Sequence, residues 1–140
     1  MSRTALVIFA HGARDPQWAD PMRRVCLAVR QRAPDMRVEV AFLEFMKPAL
    51  RECAESLLAE GFDHIVVLPM FIARGGHLRR DVPLLLEELR QRNPHASFDL
   101  AGAIGEVEAV VQAMARHALA LVGDSAEPAR PSEGPGEPGG

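Results

Sequence analysis

The stretch IVVLPMFIARGGHLRRDVP, residues 65–83, decides the fold. It begins with an apolar run over residues 65–68 that is rich in β-branched side chains and shows no polar alternation. A strand that is covered on both faces has this pattern, and such strands are typical of parallel sheets. Pro69 then ends regular strand pairing because it has no N–H to donate. The stretch therefore predicts a buried strand of an α/β protein.

The second half of the same stretch predicts a loop and a helix. Gly75 and Gly76 make the backbone permissive just before His77. Asp81 followed by Pro83 has the pattern of a helix start, with an N-cap residue and a proline in the first turn. We therefore expect His77 on a loop that leaves the carboxyl end of a buried strand, a common place for ligands in open α/β sheets.

Strand and helix patterns alternate along the rest of the chain. Strands are predicted at residues 4–10, 38–43, 65–68 and 97–101, and helices at about residues 17–32, 48–60, 82–92 and 106–122. This alternation predicts a doubly wound, four-stranded parallel sheet with helices on both faces. The natural strand order is 2-1-3-4, which puts the switch point between strands one and three.

The chain divides into a domain and a tail. Residues 1–123 are long enough and apolar enough for one domain with its own core. Residues 124–140 are mostly Pro, Gly, Ser and Glu, and they offer too little apolar surface to offset the entropy of ordering. We therefore predict that this tail is disordered.

Composition and missing motifs narrow the classes of function. The net charge of −3 and the low aromatic content of 5% argue against nucleic acid and membrane partners. No signal peptide, spanning segment or nucleotide-binding motif is apparent, so a cytoplasmic enzyme that binds no nucleotide is expected. Cys26 and Cys53 lie on apolar faces of the predicted helices. We therefore expect both to be buried free thiols, in a protein of a reducing compartment.

Two histidines share one setting in the predicted sheet. His11 follows strand one in the segment ALVIFAHGARD, and His77 follows strand three. In the order 2-1-3-4 both lie at the carboxyl edge of adjacent strands, where two neutral imidazoles suit a divalent first-row metal ion. Glu44 leaves strand two at the same edge and is a candidate third ligand or proton acceptor. Each of the three residues taken alone is explained equally well by an ordinary structural or surface role.

Basic residues cluster in the connections at this edge, in a chain that is acidic as a whole. They are Arg14, Lys47, Arg74, Arg79 and Arg80. An ordinary charged rim explains them, but guanidinium groups also bind carboxylates in a bidentate manner. A collar of arginines above a metal site suits a ligand with many carboxylates.

Three motifs together resemble one known family. AHGARDP, FLEFMKPAL and LPMFIARGGHLRRDVP, which follow strands one, two and three, are similar to segments of the small, single-domain sirohydrochlorin chelatases. The resemblance covers about residues 4–122. Ala13 departs from the family pattern, which usually has serine there, and this removes a hydroxyl but no ligand.

The resemblance implies both an activity and roles for the site residues. It implies ATP-independent insertion of a divalent metal, cobalt or ferrous iron, into sirohydrochlorin for cobalamin or sirohaem biosynthesis. Nickel is equally compatible with the donor set. His11 and His77 would be the metal ligands, Glu44 the nearby acidic residue, and the chain would be a homodimer that resembles half of a longer, flavodoxin-like chelatase.

Two other functions stay open at the level of sequence. One is a metal- or tetrapyrrole-binding carrier that turns nothing over. The other is a metal-dependent hydrolase that uses a histidine-bound water, although the chain lacks the clustered HExxH pattern of many such enzymes.

Overall fold

The computed structural model of the protein describes residues 2–73 and 75–123, and of His77 it describes the backbone alone. The described part of the chain forms two compact units, which divide between Ile104 and Gly105. The strands and main helices, in chain order, are β1 (Thr4–Ala10), α1 (Asp20–Arg32), β2 (Arg37–Phe42), α2 (Leu50–Ala59), β3 (His64–Pro69), α3 (Gly76–Arg92), β4 (Ser97–Leu100) and α4 (Glu108–Leu121). Two short 3-10 helices add Pro16–Ala19 and Ile104–Glu106. The alternation predicted from the sequence is confirmed.

The four strands form one parallel sheet in the order β2-β1-β3-β4. Strand β1 is central, and its residue Ile8 pairs with Val40 on one side and Leu68 on the other. This is the predicted order, so the switch point lies between β1 and β3. The carboxyl ends of β1, β2 and β3 consequently meet at one edge of the sheet.

Alternate residues of the strands pack against helices on opposite faces of the sheet. On one face Val7 and Val67 join the buried side chains of α2 and α3, among them Leu57 and Leu86. On the other face Ile8 and Val38 pack with side chains of α1, including Cys26. Helices on both faces explain why β1 reads as a continuous apolar run in the sequence.

Helix α3 begins earlier than the sequence pattern predicted. Asp81 is not its N-cap; the N-cap is Gly75, in an extended conformation, and Pro83 lies inside the helix. An interior proline costs about 3 kcal/mol because one backbone hydrogen bond is lost. The helix nevertheless buries four apolar side chains at helical spacing, Leu78, Val82, Leu86 and Leu89. Each buried side chain contributes about 1.5–3 kcal/mol, so together they outweigh the proline.

The early start of α3 also corrects the expected setting of His77. The sequence pattern placed this residue on a loop, but its backbone belongs to the first turn of α3. The glycine pair was interpreted as a loop because glycine is permissive. The buried side chain of Leu78 instead extends the helix back to Gly76.

Both cysteines are free and buried, as their positions on apolar helix faces predicted. Burial raises the pKa of the Cys53 thiol from 9.0 to about 11, and it raises the pKa of Cys26 in the same direction. The thiolate is the nucleophilic form of cysteine. The folded protein therefore keeps both side chains in the unreactive thiol form at neutral pH.

This burial predicts a loss of stability in alkaline solution. The Cys53 thiol ionises more readily in the unfolded chain, so its contribution is complete below pH 9.0 and is lost as pH rises toward about 11. We expect the free energy of unfolding to fall over this interval more steeply for the wild type than for Cys53→Ala. Urea unfolding of both proteins at several pH values measures the difference. Parallel pH profiles would contradict the prediction.

The second unit contains α4, which matches the helix predicted at residues 106–122. The predicted tail, residues 124–140, lies outside the described residues. No helix in the described part of the chain is long and apolar enough to cross a membrane.

Candidate functional site

His11 lies directly after β1, at the carboxyl edge of the sheet, and is exposed. Its imidazole ring packs on Phe71, with 4.3 Å between the ring centroids and a tilt of 44°. Phe71 is buried and in turn makes an edge-on contact with Phe9, with 5.7 Å between centroids. The aromatic pair supports one side of the imidazole and leaves the ring accessible from solvent. Such support suits a side chain that must hold one orientation toward a ligand.

Glu44 is joined to His11 through the backbone. The N–H of Glu44 donates to the carbonyl of His11 at 3.1 Å, and the N–H of Leu43 donates to the carbonyl of Ala10 at 2.8 Å. These two bonds continue the pairing of β1 with β2 beyond the ends of the strands. The structure thus brings together an imidazole-bearing and a carboxylate-bearing residue that are 33 positions apart in the chain, and Glu44 is exposed like His11.

Gly12 makes this junction sterically possible. Its φ is +86°, a conformation that favours glycine, and a Cβ at this position would lie 2.0 Å from the carbonyl oxygen of Glu44. The sequence suggested that Gly12 leaves room for something close to the backbone. The structure identifies that neighbour as the loop that carries Glu44.

His77 comes from α3, which begins beyond β3 on the same side of the sheet. Its side chain lies outside the described residues, so its sharing of a metal ion with His11 stays a prediction. Among the side chains that the structure does describe, no group of three His, Cys, Asp or Glu residues could hold a metal ion.

The predicted basic collar is distributed over three segments. Arg14 and Lys47 are exposed on the loops after β1 and β2, and Arg79 and Arg80 are exposed in α3. Arg74 lies outside the described residues.

The guanidinium carbon of Arg14 lies 4.4 Å from the centroid of the Phe45 ring. Phe45, which the sequence pattern did not single out, thus lies beside a predicted binding residue.

A cavity of about 180 Å³ lies below this edge and is mainly apolar. It is bounded by Phe9, Phe42 and Leu43 at the strand ends and by Leu78 and Val82 of α3. Pockets for drug-sized ligands usually measure about 300–1,000 Å³. A broad ligand would therefore lie across the surface loops that carry His11 and Glu44 rather than inside this cavity.

His64 lies at the opposite edge of the sheet and makes ordinary structural contacts. His64 is the first residue of β3, at the amino edge, as predicted. Its ring nitrogens lie 3.2 Å from the hydroxyl oxygen of Thr4 and 2.7 Å from a carboxylate oxygen of Asp99. These contacts join three strands at the edge opposite His11.

The fold defines a class, the doubly wound α/β proteins, in which ligands commonly bind at the carboxyl edge of the parallel sheet. Within this class the comparison with family models is specific. The CbiX model matches residues 5–120, and the chain belongs to the CbiX family.

Curated relatives and solved structures agree with this membership. A sirohydrochlorin cobaltochelatase of Saccharolobus solfataricus is 41% identical over 81 residues, which cover 58% of this chain and 62% of that protein. Another from Sulfurisphaera tokodaii is 34% identical over 85 residues, covering 61% of this chain and 69% of the relative. The matched part thus spans about three fifths of the length of the first relative.

Two solved structures share the fold. A cobalamin (vitamin B12) biosynthesis CbiX protein from Marinobacter aquaeolei superimposes with a TM-score of 0.73 at 24% identity, covering 87% of this chain and 99% of that one. SirB from Bacillus subtilis with Fe³⁺ gives a TM-score of 0.72 at 23% identity, covering 88% of this chain and 48% of SirB. The fold of this chain therefore corresponds to about half of SirB.

Proposed function

We propose that this protein is an ATP-independent chelatase that inserts a divalent metal, cobalt in the first place, into sirohydrochlorin. Ferrous iron and nickel are the other candidate metals, and cobalamin or sirohaem biosynthesis would use the product. Membership of the CbiX family and the names of the curated relatives support this function. The observation that carries it is the hydrogen bond between the backbones of Glu44 and His11, at 3.1 Å, which joins a potential metal ligand to a potential base.

His11 has the setting that a ligand for an incoming metal ion requires. Its neutral imidazole would bind the ion through a ring nitrogen, while Phe71 limits the rotation of the ring. His77 is the proposed second ligand. Two protein ligands leave positions on the ion open, so that water can be exchanged for the nitrogens of the macrocycle.

Glu44 is the proposed acceptor for the protons that the metal displaces. Insertion replaces two pyrrole N–H protons by one divalent ion, so each proton must pass to a base or to water. The carboxylate of Glu44 is exposed and lies on the loop that is bonded to His11. It could take up a proton and release it to solvent between the two transfers.

The basic residues would bind the rim of the substrate. Sirohydrochlorin carries eight carboxylates, and guanidinium groups bind carboxylates through paired hydrogen bonds. Arg14, Lys47, Arg79 and Arg80 are exposed and accessible to such a ligand, and Arg74 is proposed with them from the sequence. These groups would orient the macrocycle over His11 without taking part in metal transfer.

The activity is tested by mixing the purified protein with sirohydrochlorin and Co²⁺ and following the absorbance spectrum. Conversion faster than in a protein-free control, with many turnovers per chain, is expected. A spectral change that stops after one sirohydrochlorin per protein chain would instead indicate a carrier. Absence of any interaction with sirohydrochlorin would contradict the proposal and favour a different metal-dependent activity.

Glu44→Gln should separate proton transfer from metal binding. If the carboxylate is mainly a base, the variant should bind cobalt within about twofold of the wild type and insert it at least about 100-fold more slowly. The amide keeps the size and the hydrogen-bonding capacity of the side chain but accepts no proton at neutral pH. Cobalt affinity and single-turnover insertion are measured on the same sample.

The outcomes for Glu44→Gln are distinct. A parallel loss of affinity and rate would make Glu44 a metal ligand, while wild-type values of both would remove it from the site. Glu55→Gln is a suitable control because Glu55 is also exposed but lies on α2, away from the carboxyl edge.

We also propose an oligomeric state and a cellular location for this protein. One four-stranded sheet exposes a broad site edge, and a second copy of the chain would cover a ligand as wide as a tetrapyrrole. A homodimer is therefore proposed. A fully active protein that light scattering shows to be a monomer would contradict it.

A cytoplasmic location is proposed from composition, and cell fractionation tests it.

A further inference from the structure

Phe45 combines exposure with an unfavourable backbone conformation. Its φ is +68°, and 54% of the residue is exposed to solvent. A bulky residue in the left-handed region costs about 1–2 kcal/mol, and an exposed ring recovers little of that cost by burial. Strained residues that gain so little stability are concentrated at binding and catalytic sites.

The strain at Phe45 is imposed by contacts on both sides of the loop. On one side, Glu44 is hydrogen-bonded to the backbone of His11 at 3.1 Å. On the other, the N–H of Phe42 donates to the carbonyl of Pro48 at 2.8 Å and closes the base of the loop. The chain must reverse between these two anchors, and Phe45 is at the reversal. The loop that carries the ring is thus closed by backbone hydrogen bonds on both sides of Phe45.

The ring of Phe45 makes a cation–π contact with an arginine of the neighbouring loop. The guanidinium carbon of Arg14 lies 4.4 Å from the ring centroid. A guanidinium in this position is attracted to the face of the ring, and its N–H groups can still bind a carboxylate. The contact thus limits the conformations of Arg14 in advance of binding.

We propose that Phe45 and Arg14 form one recognition element for the rim of the macrocycle. The ring of Phe45 packs against the apolar edge of the tetrapyrrole, and Arg14 binds a carboxylate that projects from the same edge. This inference rests on the proposed function and assigns a substrate-positioning residue within it. It also explains why an exposed phenylalanine is held in a strained conformation one residue after Glu44.

The pairing predicts a different result for each part of the element. Phe45→Gly removes the ring and relieves the backbone strain, so its unfolding midpoint should equal or exceed that of the wild type. The KM for sirohydrochlorin should nevertheless rise about tenfold, while cobalt affinity stays unchanged. Arg14→Ala should raise the KM as well. Arg14→Lys keeps the charge but lacks the planar group, so its KM should also stay above that of the wild type.

The experiment compares Phe45→Gly, Arg14→Ala and the double variant in steady-state kinetics, with direct titration of metal-free sirohydrochlorin as a second measurement. The two single losses should be non-additive, because either change disrupts the same cation–π pair. Leu27→Ala is the matched control: this side chain of α1 is 55% exposed, close to the exposure of Phe45, and should leave KM unchanged.

Two results would overturn the inference while the wild type turns sirohydrochlorin over. One is an unchanged KM and titration curve in Phe45→Gly. The other is a markedly lower unfolding midpoint for that variant, which would assign the ring a role in stability. If the wild type neither binds sirohydrochlorin nor inserts cobalt, the proposed function fails, and the role of Phe45 fails with it.

Discussion

His11→Ala is expected to abolish cobalt insertion into sirohydrochlorin and to leave the fold intact. The imidazole is exposed and contacts Phe71 from the solvent side, so its removal opens no cavity in the core. Changes to residues that only support a metal ligand typically lower affinity 10–100-fold. Loss of a direct ligand should therefore lower cobalt affinity by more than about 100-fold. Isothermal titration with Co²⁺ and an unfolding curve on the same sample measure both properties.

The companion change His77→Ala should give the same loss if both histidines hold one ion. His117→Ala is the matched control, because His117 is an exposed histidine of α4 in the second unit. It should retain the cobalt affinity and rate of the wild type. Wild-type cobalt affinity in both His11→Ala and His77→Ala would disprove the assignment of the metal ligands.

Gly12→Ala is expected to have a large effect on stability and to remove activity as well. The added Cβ would lie 2.0 Å from the carbonyl oxygen of Glu44, and the residue would keep a φ of +86° only under strain. Overpacking against backbone and left-handed strain each cost about 1–3 kcal/mol, so a loss of about 3 kcal/mol is expected. The loop can avoid the clash only by moving Glu44 away from His11, and this should remove insertion activity as well.

Thermal or urea unfolding together with the cobalt insertion assay checks this prediction. Gly102→Ala is the control, because no atom of the described residues, its chain neighbours aside, lies within 4 Å of a Cβ added at that position. It should unfold within about 0.5 kcal/mol of the wild type, as substitutions away from strained or packed positions usually do. A Gly12→Ala variant that is stable and fully active would show that the junction between the two loops is not needed.

Local patterns were sufficient to predict most elements of the fold. Strand β1 was predicted at residues 4–10 and is observed at Thr4–Ala10, because a continuous apolar run bounded by His11 and Gly12 has few other interpretations. The order β2-β1-β3-β4 followed from the alternation of strands and helices and from the preference for right-handed crossovers. Neither prediction required knowledge of a specific tertiary contact.

The start of α3 could not be predicted in this way. When their local preferences are considered alone, Gly75 and Gly76 favour a loop, and Pro83 favours the first turn of a helix that begins after them. The helix forms there because Leu78 and Val82 are buried against the sheet and its other helices, and burial outweighs the cost of an interior proline. Packing against residues that are distant in the chain outweighed the local preference of these residues, and a local pattern does not record such packing.

The candidate site shows the same division. The sequence by itself predicted the candidates for metal binding and proton transfer, His11, Glu44 and His77, and that parallel strands would bring them to one edge of a sheet. Only the tertiary structure decided that the backbone of Glu44 binds that of His11, that Gly12 admits this contact, and that Phe45 is strained and lies against the guanidinium of Arg14. The physical reason is that composition and periodicity record the preferences of single residues and elements. A contact between two loops depends on where the strands that precede them end in the folded sheet.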